Sequence, residues 1–468
     1  MSTKDTDVII IGAGLTGLTI AYYLQKRGKK VIIIEKQDKT GGVIGTISEQ
    51  GFIFETGPNT GVLSTPELVE LFEDMKDCTL ETANPKSKKR YILKNGKWQA
   101  LPSGLLSAIS TPLFTFRDKL RILGEPFRKR GTNPDETIAQ LVLRRLGRSF
   151  LDYAVDPFIS GIYAGNPEKL VTRFALPKLY ALEQNYGSFI RGAIKKQGEK
   201  KSEAEKKATR EVFSAKGGLA NLIEGLVAEI GSENIFTRAI GATIEPENKS
   251  YVVSYTNSGG MKTHIKAPVV VSTTGSYNLP SLLPFITEET LKPLTSLEYA
   301  GVVQVALGYN IWEGFRLDAF GGLIPSKEKR DVLGILFPSV IFEGRAPENG
   351  ALLSVFLGGV KNPHLVLKND EEIKSIVLKE VADTLFYQKQ PDLFRIYRYS
   401  KAIPQYEKST GERLDCIRGI QDQYPGLILA GNIRDGIGMA DRVKQARQIA
   451  VLITIHPISN TLITDQLI

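Results

Sequence analysis

DVIIIGAGLTGLTIAYYLQKRGKKVIIIEK, residues 7–36, is the stretch that decides the fold. Residues 7–11 are rich in β-branched side chains, the composition of a strand buried on both faces. Gly12, Gly14 and Gly17 follow in a G-x-G-x-x-G frame, with Ala13, Leu15 and Thr16 between them. Leu15, Leu18, Ala21, Tyr22 and Leu24 then recur at helical spacing, and Gly28 fits a helix stop. A second apolar run, 31–34, ends in Glu35 and Lys36. Strand, glycine turn, helix, strand and acid make a dinucleotide-binding βαβ unit. Gly12 permits the tight turn. Gly14 lets a pyrophosphate approach the helix N-terminus, where free N–H groups favour an anion, and Gly17 lets helix and strand pack closely. Glu35 can accept hydrogen bonds from a ribose 2′-OH, which favours FAD or NAD over a 2′-phosphorylated cofactor.

At 468 residues the chain has room for two or three domains and a large core. Cys78 and Cys416 are far apart and lack metal-ligand spacing, which argues for buried thiols in a reducing compartment. The polar start MSTKDTDVII has no signal-peptide pattern, and no run reaches the ~18 apolar residues of a membrane span. His264, His364 and His456 share no motif, so the sequence offers neither a His-based triad nor a His-rich metal site. A net charge of +9 is compatible with an anionic lipid surface, nucleic acid or an acidic substrate, and equally with a solvated basic surface.

After Glu35, KTGGVIGTISEQGFIFETGPNT places Gly41 and Gly42 in a loop. Short strands then flank Gln50-Gly51, and a turn follows at Gly57-Pro58-Asn59. In KSKKRYILKNGKWQALP, Asn95-Gly96 is a type I′ hairpin signal. Residues 105–194 are mostly helical and mix apolar side chains with Arg117, Lys119, Arg121, Arg128, Lys129 and Arg130. Such a region can lie on an anionic membrane or form a helical cap with a charged outer face. Residues 195–210 are polar and of mixed charge, a solvated loop or exposed helix. Residues 269–274 are a buried strand, and strand-like runs recur between 281 and 400. YPGLILAGNIRDGIGMADRVKQARQIAVLITI holds a strand, a glycine-rich turn and a helix, a second place for an anion or a polar ring edge.

The fingerprint, the GG loop and the GF-x-x-E-x-GP segment together resemble the FAD-dependent amine oxidase superfamily. Several stretches resemble the protoporphyrinogen oxidase family within it: KRYI (89–92), LPSGLLSAISTPLFTFRDKLRILGEPF (101–127), DPFISGIYAGNPEKL (156–170), FALPKLYALEQNYGSFIRGAI (174–194), FGGLIPSKE (320–328), LGILFPSVIFEGRAP (333–347) and YSKAIPQY (399–406). With the two flavin ends, the resemblance covers nearly the whole chain.

It implies an α/β fold: a discontinuous Rossmann-like FAD-binding domain, an antiparallel-sheet substrate domain and a helical membrane-facing subdomain. In residues, the FAD domain takes 1–84, 213–280 and 401–468. The helical subdomain takes 85–194, a charged exposed loop 195–212, and the sheet domain 281–400. The implied activity is six-electron oxidation of a porphyrinogen, with hydrogen peroxide formed when O2 is the acceptor. The implied substrate residues are Arg90, pairing with a propionate, Gly161, whose carbonyl faces the pyrrole N–H groups, and Leu323, Leu336 and Phe356, which hold the rings. The implied FAD residues are Gly12, Ala13, Gly14, Leu15, Thr16, Gly17, Glu35, Lys36, Val43, Gly57, Pro58, Asn59, Thr60, Ile240, Tyr399, Ile437, Gly438 and Met439. Taken singly, Arg90 belongs to a basic run, and Leu323, Leu336 and Phe356 read as core. The chain departs from the family at Asp435, where glycine is common, at Gly438, where Ser or Ala is common, and at Tyr399, where tryptophan is common.

This chemistry suits the residues. Hydride transfer from a methine-bridge carbon to flavin N5 needs positioning more than a side-chain base. A helix N-terminus near 436–439 would favour negative charge on the reduced flavin N1–C2=O edge. The expectations are therefore an FAD enzyme acting on protoporphyrinogen IX, with no protein side chain as catalyst and no metal. Coproporphyrinogen III is the alternative substrate, and a non-catalytic FAD/porphyrin carrier is a further one. The expected setting is cytoplasmic and peripheral on the membrane, with O2 or a respiratory-chain acceptor, a possible homodimer and no nucleic acid.

Overall fold

The computed structural model describes residues 4–200 and 202–455, so His456 lies outside the described residues. Its centre is a five-stranded parallel sheet in the order Ile235–Phe236, Val31–Ile34, Val8–Ile11, Val269–Ser272, Leu427–Leu429. Alternate side chains serve two cores. Val8, Ile10, Val31, Ile33 and Val271 pack under the helices Leu15–Gln25, Ala220–Ile230 and Met439–Ile455. Ile9, Ile11, Ile32, Ile34 and Val270 face a second layer formed by the antiparallel strands Ile240–Glu247, Ser250–Thr256 and Lys262–Ala267 and the helix Thr410–Gln423. Burial on both faces is why these strands read as unbroken apolar runs.

The second large sheet has seven strands in the order Leu393–Pro404, Tyr299–Tyr309, Ala351–Gly358, Val332–Leu336, Gly321–Leu323, Tyr91–Lys94, Lys97–Ala100. Two expected boundaries move. The hairpin 91–100 belongs to this sheet rather than to the helical subdomain, because Tyr91 and Ile92 pair in parallel with Gly322 and Leu323. The boundary at 400 falls inside the strand Leu393–Pro404. Asn95 and Gly96 both have positive φ (52° and 71°), as a type I′ turn requires. One face of the sheet carries Val303, Val305, Ile335, Leu353, Val355 and Leu357 against the helix Asp370–Leu385. The other face meets Phe52 and Phe54 through Ala306 and Leu352.

Helices fill most of 105–198. Helix Phe116–Leu123 puts Phe116, Leu120 and Leu123, at i, i+4 and i+7, on the outside. Leu106, Ile109, Phe127 and Ile194 are exposed as well. This apolar stripe faces away from the core, the reverse of an ordinary surface helix. Of the basic residues in this region, Lys119 donates to the Ile109 and Thr111 carbonyls, and Arg121 to those of Leu143 and Arg144. No helix among the described residues is long and apolar enough to cross a membrane.

Candidate FAD site and substrate slot

The glycine fingerprint adopts the geometry its sequence demands. Gly12 has φ 105° and lies against the Thr273 hydroxyl. A β-carbon on Gly17 would overlap the Gly12 carbonyl, so only glycine lets helix and strand meet here. Gly14 is different: a β-carbon there meets nothing within 4 Å. No side chain caps helix Leu15–Gln25 and no acid stands in its first turn. Leu15 and Thr16 are buried, so the helix end offers backbone N–H groups rather than side chains. An open β-carbon direction at an uncapped helix N-terminus fits a pyrophosphate.

Glu35 is buried, its carboxylate accepting from Ala13 N at 2.7 Å and Gln37 N at 2.9 Å. The backbone of Arg238 and Ala239 donates to the carbonyls of Gln37 and Glu35, which sets Ile240, 65% exposed, beside this corner. Lys36 is exposed next to it. On the other side of the fingerprint, Gly41 N donates to Ala13 O and Gly41 bridges Gly14. Val43 follows with its side chain 54% exposed, and Gly57 presses on the Val43 carbonyl with no room for a side chain.

The 55–60 segment is then tied to the seven-stranded sheet. Gln304 donates to Glu55 O at 2.7 Å, and the Tyr399 hydroxyl donates to Thr56 O. Burial raises the Tyr399 pKa, which keeps that hydroxyl a donor. Pro58 and Thr60 are half-buried, while Asn59 is buried, donating to Gly57 O and leaving its Oδ1 without a donor. Gly61 adjoins Met439 at the start of the last helix, and Ile437 packs on Tyr406 and Ile403. Fingerprint, GG loop, GP turn, Tyr399 and Met439 therefore form one continuous line of contacts. Its elongated shape and the open approach at Gly14 fit FAD.

Asp435 adopts a left-handed backbone, φ 62°, which explains why glycine is usual there. Arg434 Nε and Gln445 Nε2 hold its carboxylate, at 2.8 and 2.6 Å. Gly438 N donates to Asp441 Oδ2.

The slot is set by sheet register. Leu323, Gly334, Phe356 and Gln304 form one row, and Gly321, Leu336, Ser354 and Ala306 a parallel one. Leu323, Leu336 and Phe356 therefore share the face opposite the helix-covered core. Gly334 keeps the middle of the first row flat. Gly161, in helix Asp156–Tyr163, abuts Leu323, with 2.7 Å from its β-carbon position to Leu323 Cδ2. Asp156 docks that helix on the sheet through Ser326 N at 2.8 Å, Ser326 Oγ at 3.1 Å and Lys361. Ile92 packs with Leu323. Arg90 is exposed and immediately precedes the first paired residue of this strand, Tyr91. Its guanidinium lies 5.1 Å over the Phe320 ring.

Sequence reasoning missed Gln304, Thr273, Glu55 and Arg345. Glu55 is buried, accepting from Thr46 Oγ1 at 2.6 Å and Leu219 N at 3.0 Å, with Arg345 3.6 Å away. Its place in GF-x-x-E-x-GP was the signal for it, and its task is to join the hairpin to the helix Ala220–Ile230. Gln304 sits in an apolar strand pattern, where a lone amide in VVQVAL was a hint without a partner.

The model of the flavin-containing amine oxidoreductase family matches residues 15–454. A relative, protoporphyrinogen oxidase 2, chloroplastic/mitochondrial, of Arabidopsis thaliana, is 28% identical over 95% of this chain and 93% of its own. The protoporphyrinogen oxidase of Bos taurus is 29% identical over 95% and 97%. A solved structure from Exiguobacterium sp. 255-15 shares the fold with a TM-score of 0.80, at 24% identity over 97% of this chain and 99% of that one. FAD is the cofactor these findings support. With a family match running from the helix that opens at the fingerprint to the closing helix, the chain belongs to the flavin-containing amine oxidoreductases.

Proposed function

We propose that the chain oxidises protoporphyrinogen IX to protoporphyrin IX in porphyrin or heme biosynthesis. One observation supports this above the rest. Leu323, Leu336 and Phe356 share one apolar face of the sheet, and Arg90, on the adjoining hairpin, is a guanidinium with no carboxylate partner among the described residues. Several cations around this end of the sheet are paired with carboxylates. Lys89 and Arg316 pair with Asp318, Lys327 and Arg148 with Asp152, and Lys361 with Asp156. A large apolar macrocycle with two propionates suits that arrangement better than coproporphyrinogen III, which has four. FAD, when bound, supplies the two-electron acceptor. The protein's part is to seat the rings on the sheet face, hold a propionate at Arg90 and present the Gly161 carbonyl to the pyrrole N–H groups. No titrating side chain is needed for this. O2 is the proposed final acceptor.

Porphyrin fluorescence with both porphyrinogens side by side tests the reading. Protoporphyrinogen should turn over faster, and equal or faster turnover of coproporphyrinogen moves the assignment to the four-propionate substrate. A bidentate guanidinium–carboxylate contact contributes about 1.5–3 kcal/mol, or roughly tenfold to a hundredfold. Arg90→Ala should cut kcat/KM by that factor while the protein stays yellow. Arg90→Lys should recover only part of the loss, since it keeps the charge but not the fork. Lys88→Ala should change little. Wild-type turnover by Arg90→Ala would return Arg90 to the basic surface.

The same reading includes a peripheral seat on an anionic membrane, on the cytoplasmic side. The outward stripe of Leu106, Ile109, Phe116, Leu120, Leu123 and Phe127 supports it, flanked by Arg117, Lys129 and Arg130. Flotation with anionic vesicles should carry the protein up at low salt and less at high salt, and Phe116→Asp with Leu123→Asp should abolish it. Wild type that stays at the bottom would make the stripe a contact between protein copies, seen as a dimer in solution.

A further inference from the structure

The turn 431–434, which leads toward the helix Met439–Ile455, has every carbonyl held by a side chain. Arg442 donates to Gly431 O and, at 2.8 Å, to Arg434 O. The Tyr406 hydroxyl donates to Asn432 O at 3.0 Å, and Arg413 Nε to Ile433 O at 3.0 Å. Both arginines are interior, 0% exposed for Arg413 and 6% for Arg442. Their remaining bonds go to neutral groups, Thr410 Oγ1 and Gln445 Oε1. Arg413 Nη1 and Arg442 Nε are buried without an acceptor. Neither guanidinium has a carboxylate within ion-pair distance among the described residues, and both keep their charge at any ordinary pH.

The nearby acids do not cancel them. Asp435 is held by Arg434 and Gln445. Asp441 accepts from Gly438 N, and burial raises its pKa, which weakens it as a counter-ion. Among the described residues, then, no carboxylate pairs with Arg413 or Arg442. Buried cations without counter-ions are costly in a folded chain. These two flank Tyr406, with Arg413 5.4 Å over its ring, and clamp the turn that closes the FAD site. Gly431 in that turn lies against Thr273, whose hydroxyl donates to the carbonyls of Ile11 and Gly12 at the head of the fingerprint.

We infer that Arg413 and Arg442 are a buried cationic pair that stabilises the negative charge FAD gains on reduction, and so sets its reduction potential. Two electrons and one proton enter the cofactor, leaving one negative charge on it, while the second proton stays in solvent. In a water-poor interior, fixed charges act well beyond contact distance, and the helix N-terminus at 438–439 adds the same sign. The pair touches no reacting atom. Its task is electrostatic, and it rests on FAD being bound rather than on which porphyrinogen is oxidised.

A redox titration of the FAD-loaded protein against a reference dye, with no porphyrinogen present, tests it. Arg442→Gln and Arg413→Gln should each shift the two-electron equilibrium at least tenfold toward the oxidised form, about 30 mV. The Lys variants, which keep the charge, should shift it less. The reduced wild-type spectrum should stay that of the anionic form down to pH 6. FAD-loaded Gln variants with the wild-type midpoint overturn the assignment. If a Gln variant does not hold FAD, the wild-type spectrum decides, and a reduced flavin already neutral at pH 7 overturns it too.

Discussion

Gly14→Val gives a folded, colourless protein. A β-carbon at Gly14 meets no atom within 4 Å, so the protein itself does not block a side chain at its first carbon. The space it fills is where a pyrophosphate must approach the uncapped N-terminus of helix Leu15–Gln25. FAD binding should therefore be lost outright, not weakened by a small factor, while far-UV circular dichroism stays that of the wild type. FAD binds only the native state and adds to its stability by mass action. The variant should then melt where apo wild type melts, below the holoprotein. Gly17→Ala is the contrast, because its β-carbon would overlap the Gly12 carbonyl, a backbone atom that cannot swing aside. That variant should fail to fold. A yellow Gly14→Val protein would break the link between this glycine and the cofactor, and a yellow Gly17→Ala protein would break the packing argument.

The contrast between Gly14 and Gly17 also shows what was legible in the sequence. Everything within 7–36 follows from local rules, because strand, turn, helix and acid are contiguous. The hairpin at Asn95-Gly96 was equally local. Its place was not, because the pairing of Tyr91 and Ile92 with Gly322 and Leu323 spans some 230 residues and carries no signal in either strand. The slot shows the same limit. Leu323, Leu336 and Phe356 alternate like any half-buried strand, and only resemblance separated them from core. The structure then gives the physical reason, a row register that turns them away from helix Asp370–Leu385. Charged residues were the least legible. Nothing in the sequence marks Arg145, Arg413 and Arg442 as buried, yet all three are interior. Burial of a charge depends on partners gathered from several elements, and one-dimensional patterns do not record those.

Arg145 carries the second large effect. It is 0% exposed in the helical region, with Nη1 2.5 Å from Glu125 Oε1 and Nη2 2.6 Å from Glu183 Oε1, and it also donates to Gly187 O at 2.7 Å. Glu125 accepts from Phe189 N at 3.0 Å, Ile190 N at 3.2 Å and the Ser188 hydroxyl, so it anchors the start of helix Phe189–Gly198. Glu183 accepts from Gly131 N and from Arg144 as well. Removing the central guanidinium leaves two buried carboxylates short of charge, an arrangement that costs about 3–5 kcal/mol. Arg145→Met should therefore lower the stability of the helical region by that much. Hydrogen exchange of amides in 125–198 reads it, as a rise of roughly two to four orders of magnitude in the slowest rates. Lys26→Met, which breaks the exposed pair with Asp74, should cost no more than about 1 kcal/mol. The pH dependence follows the carboxylates. Burial by itself would raise the Glu125 pKa, but the bonds from Ser188, Phe189 and Ile190 and the charge of Arg145 outweigh it and hold the value below the ordinary range. Glu183 is lowered in the same way against its burial, by Arg144, Gly131 and Arg145. A carboxylate with a depressed folded pKa contributes fully above its unfolded value of about 4.3 and loses that contribution as pH falls through the folded one. Protection of 125–198 should therefore be flat above about pH 5 and fall on acidification below pH 4, earlier than the parallel-sheet core. An Arg145→Met protein with wild-type exchange rates would mean that Ser188, Arg144 and the backbone donors satisfy both carboxylates without Arg145.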